Sequence, residues 1–95
     1  MNKIKIILKK NKINIYGDIN FENIKQILEY CFNETENITK LIIDLKYTTN
    51  KQNCILIFIL NYLRKIKNNN QKVKFINIPK LLNKMVKVYN LYTLI

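Results

Sequence analysis

The chain has 95 residues, a formal net charge of +11 and 48% hydrophobic residues. That suits one domain with enough apolar mass for a folded interior and excludes intrinsic disorder. With no His, Ser, Ala or Trp and a single Gly, Pro and Arg, it cannot build a Ser-His or Cys-His catalytic pair, a His-containing zinc site or a Gly-rich phosphate loop, and two cysteines are too few for an all-thiolate zinc site.

Lys3-Ile4-Lys5-Ile6 alternates polar and apolar residues, which predicts a half-exposed strand. Lys9 to Lys12 reads as a turn, and Lys12-Ile13-Asn14-Ile15-Tyr16 as a second strand that Gly17-Asp18 breaks. From Asn20, a suitable N-cap, the period becomes helical: Phe21, Ile24, Ile27, Leu28 and Cys31 form one stripe, and Glu22 sits in the first turn. Asn33 to Asn37 is a polar connection. Leu41-Ile42-Ile43-Asp44-Leu45 is a nearly continuous apolar strand of the kind buried on both faces.

Tyr47 to Lys51 is predicted as a loop. Cys54 to Lys67 is too long for a strand and is apolar almost all round in its first half, which predicts a largely buried helix ended by Asn68-Asn69-Asn70. Lys72 to Ile78 is the last strand. Pro79 opens a final helix with Leu82, Met85, Val86 and Tyr89 on its apolar face, ended by Asn90; Leu91, Tyr92, Leu94 and Ile95 form a tail that packs back. The order β-β-α-β-α-β-α over residues 1–95 predicts a single α/β domain: an antiparallel hairpin, then parallel strands joined through helices, in a small mixed sheet.

The positive charge is weak evidence of a nucleic-acid partner. Ile, Lys, Asn, Tyr and Phe, whose codons are AT-rich, make up 60 of the 95 residues, so drift in an AT-rich genome enriches Lys over Arg in any protein. The lysines are dispersed; only Lys9-Lys10-Asn11-Lys12 and Arg64-Lys65-Ile66-Lys67 cluster, and Tyr16, Tyr30 and Tyr62 sit on or beside apolar stripes, as core residues do. The longest apolar run, Cys54 to Leu60, is far below the roughly 20 residues that span a bilayer, and Ile6-Ile7-Leu8 is shorter than the about 7–15 of a signal-peptide core. A cytosolic chain follows, with Cys31 and Cys54 as reduced, buried thiols. Asp18 and Asp44 lie at strand ends, but nothing in their spacing brings them together for acid–base work.

The element order, with Ile15-Tyr16-Gly17-Asp18-Ile19 and Leu41-Ile42-Ile43-Asp44-Leu45, resembles a STAS domain, the fold shared by sulfate transporters and anti-sigma factor antagonists. Phe75-Ile76-Asn77-Ile78-Pro79, two helical turns, then Val88-Tyr89-Asn90-Leu91 resembles the small stand-alone, MlaB-type STAS proteins of the Mla system, which are subunits of a phospholipid-transporting ABC complex of the bacterial inner membrane. The resemblance runs from Lys12 to Leu91. STAS regulators carry a phosphorylatable Ser or Thr after an Asp, followed by small residues and a Leu, at the start of the second helix. The matching positions here are Gln52, Asn53, Cys54, Ile55 and Leu56. Asn53 stands in place of the hydroxyl residue, and an amide accepts no phosphoryl group, so Asn53 reads as a degenerate phosphosite. Thr48 and Thr49 lie upstream, in the predicted loop.

The resemblance implies a non-catalytic subunit without cofactor or metal, cytoplasmic and peripheral to the inner membrane, that binds the ATPase of an ABC transporter. The expected interface is Thr48, Thr49, Gln52, Asn53, Cys54 and Leu56, with Lys84 and Lys87 of the last helix. Gln52 and Asn53 serve equally well as caps of a buried helix. The alternatives are an anti-sigma factor antagonist-like protein without its phosphosite and a small basic nucleic-acid-binding domain; attraction to anionic lipid is an auxiliary effect.

Overall fold

The computed structural model describes residues 4–50, 52–67, 69–80 and 82. The chain opens as an antiparallel hairpin of β1 Lys5–Lys9 and β2 Lys12–Ile19, with Lys9 opposite Lys12 and only Lys10 and Asn11 between them. Lys10 takes φ 54°, a left-handed backbone that lets so tight a turn follow the strand twist. The strand expected over Lys3 to Ile6 therefore runs on to Lys9. β2 likewise continues through Gly17-Asp18. Gly17 stays in the sheet at φ 118°, open to a residue without Cβ, and its N–H donates to the Tyr47 carbonyl at 3.2 Å.

Helix α1 spans Ile24–Glu34, after a turn over Phe21 to Asn23. Asn20 and Asn23 cap it reciprocally: the Asn20 Oδ1 accepts from the Asn23 N–H at 3.1 Å, and the Asn23 Oδ1 accepts from the Asn20 N–H at 2.9 Å. Because this turn precedes the regular helix, Phe21 leaves the predicted stripe and is 73% exposed. Tyr30 is also exposed, whereas Ile27 and Cys31 are buried as the period requires.

Next come β3 Lys40–Asp44, β4 Thr48–Asn50, helix α2 Gln52–Ile66 and β5 Lys72–Ile76. β4 corrects the loop expected over Tyr47 to Lys51. It pairs parallel to the far half of β2, Gly17 opposite Thr48, while β3 pairs parallel to the near half, Asn14 opposite Asp44. Two residues of β2 thus face three of the neighbouring chain, so β4 resumes the line of β3 after one extra residue, as at a bulge. β5 stops at Ile76 because Asn77 turns to φ 57°. The final helix expected from Pro79, with Met85, Val86, Tyr89 and the apolar tail, lies outside the described residues apart from Lys80 and Leu82, which are helical, and Leu82 is buried.

The sheet order is β1-β2-β3-β5, with β4 beside β2. Residues opposite one another share a face. Ile13, Ile15, Leu41, Ile43 and Phe75 turn to the helices, where Ile27 and Cys31 of α1 and Phe58, Ile59 and Tyr62 of α2 complete the core. Phe58, Tyr62 and Phe75 meet at ring centroid separations of 6.0 to 6.3 Å, two of the three pairs edge-on. The opposite face carries Lys5, Lys9, Lys12, Asn14, Tyr16, Ile42, Asp44 and Lys74, and among the described residues no helix covers it.

Candidate partner-docking site

The site lies where the parallel strands end. Asp44 closes β3 at 5% exposure, so its carboxylate keeps its charge only through partners. It has three: the Oδ1 accepts from the Lys46 N–H and the Asn77 Nδ2, both at 2.9 Å, and the Oδ2 lies 3.4 Å from the Lys12 ammonium. Burial pushes the carboxyl pKa up, but the bonds from Asn77 and the Lys46 amide, with Lys12, outweigh it and hold the group below the usual carboxylate range. Asp44 therefore fixes the following loop and ties the end of β5 to that of β3. Sequence spacing pointed to Asp44 at a strand end; it did not show Lys12 and Asn77 as its partners. An Asn directly after a strand, able to take a left-handed backbone, was the one available signal.

Asp18 does not join this cluster. It is opposite Thr49, four residues along β2 from the Asn14 that faces Asp44, roughly 13 Å at strand rise. Among the described residues there is no group of three or more Cys, Asp or Glu able to hold a metal ion.

Beyond Asp44 the chain presents a small aromatic shelf. Tyr16 and Tyr47 stack with ring centroids 4.8 Å apart, Tyr47 is 47% exposed, and the Lys46 ammonium lies 5.5 Å from the Tyr47 ring centre. Thr48 is half-buried and its hydroxyl donates to the Leu45 carbonyl at 2.7 Å; Thr49 is exposed. Gln52 and Asn53 are the first two residues of α2, where the leading N–H groups of a helix lack helical partners.

Along α2 the expected all-round burial fails on one side. Cys54, Ile55, Phe58, Ile59, Tyr62 and Leu63 are buried, but Leu56, Ile57 and Leu60 are only half-buried, with Asn61 and Arg64 exposed beside them. These positions fall on the outer face at three- and four-residue spacing. An apolar ridge thus starts at the helix N-terminus, next to β4. Ile57 and Leu60 were not singled out in the sequence because apolar residues on every side hide which face turns outward. Of the expected contact residues, Thr48, Thr49, Gln52, Asn53 and Leu56 lie along β4 and the start of α2. The Cys54 side chain is buried in the core and out of a partner's reach. Lys84 and Lys87 lie outside the described residues.

Both thiols are free and buried, and burial pushes the Cys31 thiol up to about 12. A hollow of about 670 Å³, lined by Phe32, Glu36, Thr39, Lys65 and Gln71 among others, is at the other end of the strands, and none of the expected contact residues lines it. Among the described residues no helix is long and apolar enough to cross a membrane.

No family model matches this sequence, and no curated protein does. Among solved structures the chain is similar to the anti-sigma factor antagonist SpoIIAA in its unphosphorylated form, at 12% identity and a TM-score of 0.65 over 94% of this chain and 82% of that one. The likeness is one of fold, and the fold is STAS-like.

Proposed function

We propose that this chain is a non-catalytic docking module that binds the ATPase subunit of a phospholipid-transporting ABC complex of the Mla type, on the cytoplasmic side of the inner membrane, and steadies or tunes that ATPase by contact. The observation that carries the docking reading is the half-exposed ridge Leu56, Ile57 and Leu60 on α2, beginning beside β4 and the helix N-terminus. Such an apolar strip, flanked by polar Asn61 and Arg64, suits a protein interface better than bulk water. The STAS-like fold and the resemblance of Phe75 to Pro79 and Val88 to Leu91 to Mla-type proteins support the choice of partner. The test is co-expression with the ATPase and permease subunits of the same genome. Co-purification is expected, and Ile57→Lys, Leu60→Lys and Asn53→Arg each weaken it at least tenfold, whereas Lys25→Gln on α1 does not. Failure to co-purify, or indifference to the α2 variants, sinks the reading.

The likeness to SpoIIAA favours a second reading, an anti-sigma factor antagonist-like protein. Asn53 offers no hydroxyl, and the Thr48 hydroxyl is engaged by Leu45, so Thr49 is the exposed acceptor left near the helix start. Mass spectrometry after incubation with a cognate kinase and ATP tests it: phosphate on Thr49 supports signalling, and an unmodified chain counts against it.

A further inference from the structure

The sheet has two faces of different charge. On the face away from the helices the register brings together Lys5 and Lys9 of β1, Lys12 of β2, Lys40 of β3, and Lys72 and Lys74 of β5. Two carboxylates belong to the paired strand positions of this face: Asp44, buried against Lys12, and Asp18, which alternates with Lys12, Asn14 and Tyr16 and lies opposite Thr49 at the far end of β2. Among the described residues the other five lysines make no ion pair, and all five are exposed. The other four acids, Glu22, Glu29, Glu34 and Glu36, lie on α1 or at its ends, across the sheet. The helix side mixes those acids with Lys25, Arg64, Lys65 and Lys67, whereas the strand face carries six lysines against two carboxylates; codon drift enriches lysine along a chain but does not concentrate the excess on one face.

We infer that this open sheet face is a docking surface for an anionic bilayer. Three features favour a lipid surface over a nucleic acid. The face has no Arg, so it lacks the planar fork that grips phosphates and base edges bidentately. Its aromatic pair is already engaged: Tyr47 has the Tyr16 ring stacked on it and the Lys46 ammonium near its ring, so it offers a poor platform for a base. Finally, Lys40, Lys72 and Lys74, with Asn11, surround a hollow of about 330 Å³ on this face to which Ile42 contributes an apolar side chain, an arrangement suited to headgroup phosphates between lysines. The surface lies across the sheet from the α2 ridge, so each can be tested without the other.

The full-length chain is sedimented with vesicles of phosphatidylcholine alone and with vesicles of phosphatidylcholine mixed with phosphatidylglycerol, at low and high salt. Binding that needs the anionic lipid and falls with salt is expected. Each lysine near the surface is worth roughly fivefold in partitioning, so Lys40→Gln/Lys72→Gln/Lys74→Gln weakens binding on the order of a hundredfold. The matched triple Lys25→Gln/Arg64→Gln/Lys67→Gln, off this face and of equal charge change, retains most of it. Circular dichroism confirms that both variants are folded. The inference is overturned by no binding to anionic vesicles at low salt, by equal losses in the two triples, or by tighter binding to single-stranded poly(U) or polyglutamate than to vesicles at the same salt.

Discussion

Asp44 shows how much structure one carboxylate can organise. Its charge is kept in a nearly buried place by the Lys46 amide, the Asn77 side chain and Lys12, which come from three separate stretches of chain. Because the native pKa lies below that of the unfolded chain, about 3.9, the stabilisation is full above that value and is lost as pH falls through the native pKa. In urea titrations at a series of pH values, the wild type should lose stability on the acid side of pH 4 more steeply than Asp44→Asn, whose curve is flatter there and lower at neutral pH. The cysteines give a second expectation. Cys31 and Cys54 are both about 1% exposed or less, so neither sulfur is within reach of a reagent in the folded chain, and burial also pushes the Cys31 thiol up to about 12. Labelling with a disulfide reagent should track unfolding, with no fast phase from the folded chain; prompt reaction of either thiol contradicts this.

At the scale of elements, α2 supplies much of the core through Phe58 and Tyr62. Phe58→Ala removes a fully buried ring packed against Tyr62 and Phe75 and should cost about 3–5 kcal/mol in denaturant unfolding. Tyr62→Phe keeps the ring but takes away the hydroxyl that lies 3.3 Å from the Gln71 Oε1 and 3.4 Å from the Thr35 hydroxyl, at about 1 kcal/mol. Both helices and the longer strands were legible in the sequence because each repeats its period several times: Ile13 and Ile15, Ile27 and Cys31, and Val73 and Phe75 all face the helices as the alternation requires. β4 was not legible, since three residues are too few to show a period and its partner is a distant stretch of β2. Phe21 misled because a capping turn carries the same residue types as a helix while following a different path. The docking ridge was half legible. The resemblance points to Leu56 but not to Ile57 or Leu60, because only packing reveals which side of an all-apolar helix turns outward.

At the scale of the whole molecule, the sheet divides the charge. Four of the six acids gather about α1 among basic residues of both helices, while the open face carries six lysines against two carboxylates, an asymmetry that dispersed lysines in a linear sequence cannot reveal. The topology has a further consequence. β2 is the longest strand, joined to β1 on one side and to β3 and then β4 on the other, whereas β1 and β5 end the strand order. Amides at the centre of such a strand are released only when neighbours on both sides part together, which amounts to opening the whole fold. In native-state hydrogen exchange the N–H groups of Ile13 to Tyr16 should be among the last to take up deuterium, at the free energy of global unfolding, with the outward edges of β1 and β5 far ahead of them. Slow exchange at those edges with fast exchange in β2 would place the cooperative unit elsewhere in the chain.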